Sequence, residues 1–126
     1  MNSKEFVARS GLAISTVRYY EKIGLLPAPV RGDNNYRSYE DRHLILARFI
    51  KDMTLSGFSL KDIGVFLEDL RQKQDLTDVA KANLRDRLVE IDQQIAQLGQ
   101  LKTFLSALLE SQSELVSQLA ELQDQL

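Results

Sequence analysis

A chain of 126 residues with net charge −2 and no cysteine has room for one small domain, or a domain with an appendage. Without cysteine, disulfides, thiolate metal centres and thiol nucleophiles are excluded, and the single histidine, His43, leaves little for a transition-metal site. The start, MNSKEF, lacks a charged-then-apolar signal pattern, and no apolar run approaches the ~18 residues of a membrane span. The expectation is a soluble, cytoplasmic protein with no cofactor, no metal and no membrane contact.

The near-neutral total hides an asymmetry. Residues 1–51 carry nine Lys/Arg against five Asp/Glu, net +4, while residues 52–126 carry the other seven against thirteen, net −6. Such a split suits one end to an anion and the other to a different task.

Strand signals are almost absent, so the chain reads as all-α with one small β-hairpin. Ser3 is positioned to cap a first helix, with Phe6 and Val7 inward and Gly11 as its stop. Ser15 or Thr16 caps a second, with Val17, Tyr20 and Ile23 as its apolar stripe and Gly24 at its end. Two helices of this size joined by "GLAI" make a helix-turn-helix pattern. The next stretch, "LLPAPVRGDNNYRSY" (25–39), holds both prolines. Its Asp33-Asn34-Asn35 core tolerates left-handed turns, which predicts a hairpin. After a helix-turn-helix, such a hairpin is a wing.

A third helix follows, with Leu44, Ile45, Ala47, Phe49, Ile50 and Met53 at helical spacing, Ser38 and Asp41 as a capping box and Gly57 as its end. "SLKDIGVFLEDL" repeats the grammar: Ser59 caps, and Ile63, Phe66, Leu67 and Leu70 point inward. These two form a second helix-turn-helix unit, and the globular part ends at residue 73. The polar "QKQDLTDVAKAN" reads as a bridge. From Leu84 the period changes. Leu84, Leu88, Ile91, Ile95, Leu98, Leu105 and Leu109 fall on alternating four- and three-residue steps, with Lys102 as the one polar entry, and Leu101 and Leu108 widen the stripe. This heptad seam is roughly 39 Å long and needs a partner. "SQS" at 111–113 breaks the phase before Leu115, Leu119, Leu122 and Leu126 resume it. The tail at 111–126 either folds back as a short helix or continues with a phase shift. The predicted organisation is a winged helix-turn-helix domain at 1–73, a linker and dimerisation helix at 74–110 and a short tail or effector helix at 111–126.

The chemistry sits at the basic end. Arg18 has the fork to pair with phosphate or a guanine edge. Tyrosine hydroxyls bond phosphate oxygens while their rings pack on sugars. Ser15 and Thr16 stand at a helix N-terminus, where free N–H groups favour phosphate. Arg31, Asn34, Asn35, Tyr36 and Arg37 supply donors from the wing. Each feature has a plainer reading: paired tyrosines are more often core and rim, Tyr20 is spaced to face inward with Val17 and Ile23, and "YRSY" suits a hairpin with cross-strand aromatic pairs. His43 reads as an ordinary helix residue. What raises DNA binding above these is the order of parts: helix-turn-helix, basic wing, dimer helix. The competing class is a coiled-coil adaptor that pairs its stripe with another protein. No nucleophile–base set or Gly-rich phosphate loop supports an enzyme.

Over residues 3–70 these motifs resemble the MerR-type transcription regulators. "TVRYYEKIGLL" looks like the family's recognition helix, "VRGDNNYRSY" like its wing with Asn35 where glycine is usual, and "LILARFIKDMTLSGFSLKDIGVFL" like its second helix-turn-helix. The resemblance implies a homodimer through an antiparallel coiled coil that binds a near-palindrome in an overlong promoter spacer, bending and untwisting it for RNA polymerase. Carried over, Thr16, Arg18 and Tyr19 lie at the major groove, and Tyr20 and Tyr39 brace the fold or contact the DNA backbone. Arg31, Asn35, Tyr36 and Arg37 hold wing-side phosphates, and Lys61 touches phosphate. Without cysteine, thiol-metal sensing is excluded. Phe104 is the only aromatic after Phe66, which argues against the aromatic-walled drug-binding domain of the family's multidrug sensors. A hydrophobic or anionic small effector between the dimer helix and the tail stays open, as does no effector at all.

Overall fold

Residues 1–110 and 112–125 are described by the computed structural model. The phase break read at 111–113 and the last seam leucine, Leu126, lie outside the described residues or side chains. The elements in chain order are α1 (Ser3–Ser10), α2 (Ile14–Lys22), β1 (Val30–Arg31), β2 (Arg37–Ser38), α3 (Asp41–Leu55), α4 (Leu60–Lys73), α5 (Asp78–Glu110) and α6 (Gln112–Asp124). They divide into two compact units, Met1–Ala80 and the chain from Lys81 on.

Local chemistry sets most boundaries in the first unit. Asn2, not Ser3, caps α1: its Oδ1 accepts the Glu5 N–H at 2.8 Å. Gly11 closes the helix at φ 72°, donating its N–H to the Val7 carbonyl at 3.0 Å, a left-handed conformation that costs glycine nothing. The start of α2 differs from expectation. Its cap is Ala13, which has no side chain to offer, and Ser15 and Thr16 lie inside the first turn. Packing rather than capping decides this start, because a helix from Ile14 sets that residue, with Val17 and Tyr20, against the core. Ile23, expected on the same stripe, is instead the C-cap and is half exposed. Gly24, at φ 79°, then reverses the chain so that Leu26 re-enters the core.

The start of α3 is also corrected. Its cap is Glu40 rather than Ser38, and the Glu40 N–H donates to His43 Nδ1 at 3.0 Å. The reason lies one residue earlier. The Tyr39 N–H donates to the Met1 carbonyl and the Met1 ammonium to the Tyr39 carbonyl, both at 2.7 Å. This two-way bridge holds Tyr39 extended, so helix begins only after it. Leu44, Ala47 and Ile50 face the core, whereas Ile45, one step round the helix, is exposed. Arg48 donates to the Arg9 carbonyl at 3.2 and 3.0 Å, and Lys51 to the Gly11 carbonyl at 3.3 Å. Two α3 cations thus meet the carbonyl end of α1, where the helix dipole favours positive charge. In α4, Ser59 Oγ accepts the Asp62 N–H at 3.1 Å as expected, Ile63 is fully buried, and Phe66 stacks on Phe49 with ring centroids 5.7 Å apart.

The stretch read as a bridge is already helical from Asp78, where Thr77 Oγ1 accepts the Ala80 N–H at 3.1 Å. Nothing in the following residues breaks a helix, so α5 extends back to the first hydroxyl able to cap it. Its 33 residues span about 50 Å. On the single chain Leu88, Ile95, Leu98, Leu101, Leu105 and Leu109 are exposed, while Leu84, Ile91 and Leu108 are half-buried.

Candidate nucleic-acid interface

The outward face of α2 carries Ser15, Thr16, Arg18 and Tyr19. Arg18 and Tyr19 are exposed, and Arg18 makes no ion pair among the described residues. The N–H groups of Ile14, Ser15 and Thr16 precede the first helical bond, Val17 N–H to the Ala13 carbonyl, so this end presents free donors. Tyr20, one residue on, belongs to the core. Of its two predicted roles, bracing is the one its burial permits.

The wing is an antiparallel pair with Val30 opposite Ser38 and Arg31 opposite Arg37. Its tip is closed by Gly32 N–H to the Tyr36 carbonyl at 3.0 Å and Asn35 N–H to the Gly32 carbonyl at 2.8 Å. Asn35 takes the left-handed conformation, φ 63°, which asparagine tolerates better than most residues. Two candidate side chains are partly engaged at the tip itself, Asn34 through its acceptor oxygen and Arg31 as a donor. Asn34 Oδ1 accepts the Tyr36 N–H at 3.2 Å, and Arg31 Nη1 donates to the Asn35 carbonyl at 3.0 Å. Tyr36 points away from the fold, 74% exposed. Lys61 is exposed in the first turn of α4.

Tyr39 takes the bracing one of its two expected roles, and Arg37 sits differently from the expectation of direct phosphate contact. Tyr39 is only 2% exposed; its ring stacks on Phe6 with centroids 4.1 Å apart and meets His43 edge-on at 5.8 Å. Its hydroxyl donates to Glu21 Oε1 at 2.9 Å and accepts from Arg37 Nη1 at 3.2 Å. Arg37 Nη1 also pairs with Glu21 Oε2 at 2.6 Å. Sequence reasoning missed Glu21, because nothing in α2 announces an ion pair 16 residues away. It also underrated His43. That ring is buried, accepts from Glu40 at Nδ1, and so carries its proton on Nε2, 3.3 Å from the Ala28 carbonyl. It holds the chain entering the wing, as Tyr39 holds the chain leaving it.

The shared hydrogen bonds tie titration to folding. Burial pushes the Tyr39 hydroxyl above its ordinary range, with the Arg37 hydrogen bond pulling the other way. Arg37 is held above its own range first by the bond to Tyr39 and then by Glu21. A tyrosine whose folded-state pKa is raised contributes stability below its unfolded value, about 10, and loses it as pH climbs through the folded value. Tyr39→Phe should cost about 1 kcal/mol at neutral pH and flatten the alkaline fall in stability. Melting curves between neutral pH and pH ~11 would show this, and an alkaline fall as steep as the wild type's would assign it to another group.

Among the described residues no three His, Asp or Glu side chains gather as a metal site, and no helix is long and apolar enough to cross a membrane. An exposed arginine on α2, on the same helix that Glu21 ties to a two-stranded wing, is geometry suited to a duplex. Comparison with known proteins agrees. The family described as MerR family regulatory protein matches residues 2–39, and that described as MerR, DNA binding, matches residues 47–108. The regulator HmrR of Rhizobium leguminosarum bv. viciae is 36% identical over 112 residues, covering 86% of this chain and 83% of its own. The regulator CueR of Salmonella typhimurium is 30% identical over 112 residues, covering 88% and 80%. Among solved structures, HiNmlR, a MerR family regulator lacking the sensor domain and bound to promoter DNA, superposes with a TM-score of 0.75 at 25% identity, covering 87% of this chain and 83% of its own. The chain belongs to the MerR family of DNA-binding transcription regulators.

Proposed function

We propose that the protein acts as a homodimer on a pseudo-palindromic promoter site, where it bends and untwists the spacer so that RNA polymerase engages both promoter elements. One observation carries this reading: a cationic α2 face and wing stand on the same chain as an uncovered apolar stripe along α5. A stripe of that length needs a second helix, and a second copy brings a second α2 and wing. Bending a site costs several kcal/mol, and wing contacts on both flanks help to offset it. The DNA-facing residues in this reading are Ser15, Thr16, Arg18, Tyr19, Arg31, Asn34, Asn35, Tyr36 and Lys61. Tyr20, Arg37 and Tyr39 support them from behind. The protein works in the cytoplasm, where promoters are. With no cysteine it has no thiolate-metal effector, and any signal it senses is a hydrophobic or anionic small molecule.

The test is retention of genome fragments on the purified protein, followed by sequencing. An inverted repeat within an overlong promoter spacer is the expected result; retention without a shared site would overturn it. Arg18→Ala should weaken binding to a retained site by about 1–3 kcal/mol. If Arg18 meets phosphate, the variant should also lower the slope of log K against log salt by about 0.9. Affinity and slope both unchanged in a titration series would remove Arg18 from the interface.

A further inference from the structure

We propose that Glu21 is a positioning residue for DNA recognition: by holding Arg37 it fixes the wing against α2, and Arg37 serves this link rather than a phosphate. The inference rests on the DNA-binding reading above and deepens it.

The wing cannot place itself. Each strand is two residues long, and a hairpin of that size has little stability of its own. It is anchored at its entry by His43 and at its exit by Tyr39. Sideways, the Arg37–Glu21 contact is the one ion pair joining α2 to the wing among the described residues. Both Glu21 oxygens are engaged, one by Arg37 Nη1 and one by the Tyr39 hydroxyl. The Glu21 side chain is only 9% exposed. α2 and the wing are the two parts that must meet the duplex together, and Glu21 sits on the first and holds the second.

The charge of Glu21 sharpens the argument. A carboxylate on a surface that meets phosphate weakens binding by its sign alone. If Arg37 were a phosphate ligand, Glu21 would be a competitor for it, and removing the carboxylate charge would tighten the complex. If Glu21 positions the wing, removing that charge loosens the complex. The two readings therefore predict opposite signs for one substitution.

The experiment uses the full chain and, as probe, a duplex that the wild type retains from a random-sequence pool. Glu21→Gln should bind about tenfold more weakly, with the salt slope unchanged and the chain still folded at the assay temperature. Equal or tighter binding, or a steeper slope, would overturn the proposal. So would a loss of affinity matched by an equal loss of folded protein, which would make the role purely structural. Arg37→Lys keeps the charge and loses the guanidinium geometry, and should weaken binding similarly; wild-type affinity in that variant overturns the proposal. If Glu21→Gln does not fold, Glu21→Asp keeps the charge with a shorter reach: weaker binding by a folded chain supports the proposal, and wild-type affinity overturns it. A wild type that retains no duplex defeats the DNA-binding reading itself and this inference with it. A wild type that binds while all variants match it defeats this inference alone.

Discussion

Ile95→Asp is expected to leave a monomer in place of the proposed wild-type dimer, and to weaken binding to a two-half-site duplex by about 10²–10⁴-fold. Ile95 lies midway along the α5 seam and is 62% exposed on the single chain. Leu88, Leu98, Leu105 and Leu109, on the same stripe, are also exposed. Closing that stripe against a second helix buries apolar area at roughly 25 cal/mol per Å². A carboxylate there would be buried without a partner and would cost several kcal/mol. DNA affinity falls with it because each half-site then binds alone. Sedimentation of the purified variant reads the first effect and a titration the second. A variant that remains dimeric would mean the interface lies off this stripe, and a wild-type monomer would favour the adaptor reading.

The second large effect is on folding. Phe6→Ala should lower the stability of the first unit by about 3–5 kcal/mol, a large share of the ~5–15 kcal/mol typical of a whole domain. Phe6 is fully buried, and its ring stacks on Tyr39 at an interplanar angle of 4°. Its loss removes a buried ring and the wall that holds Tyr39, and Tyr39 in turn holds Arg37 and the end of the wing. The melting temperature should drop on the order of 20 °C. A drop below about 5 °C would mean the core closes over the gap far better than close packing allows.

These effects fall on residues that were not equally visible beforehand. The seam stood out because a heptad repeat is written in one dimension: apolar residues at steps of four and three identify one face of a helix without any knowledge of what covers it. The stops at Gly11 and Gly24 and the Ser59 cap were legible for the same reason, since each acts within a few residues of itself. The wing could be predicted from its asparagines, although which of them turns left-handed, Asn35, depended on the hairpin's register. Helix starts were less legible. The start of α2 at Ile14 answers to core packing, and that of α3 to a backbone bridge between Met1 and Tyr39, 38 residues apart.

The sequence by itself therefore determined the order of parts: a basic helix-turn-helix, a wing, a second helical pair and a long helix with one apolar stripe. Periodicity and punctuation are local properties, and they survive without a fold. Only the tertiary structure decided which polar residues face outward and which face one another. Arg18 and Arg37 look alike in the sequence, and both read as phosphate ligands. In the fold Arg18 stands exposed on α2, whereas Arg37 meets Glu21 and Tyr39 beneath the wing. The difference arises because a side chain's partner is set by which elements pack together, and contacts between residues 16 to 38 positions apart leave no periodic trace in the chain.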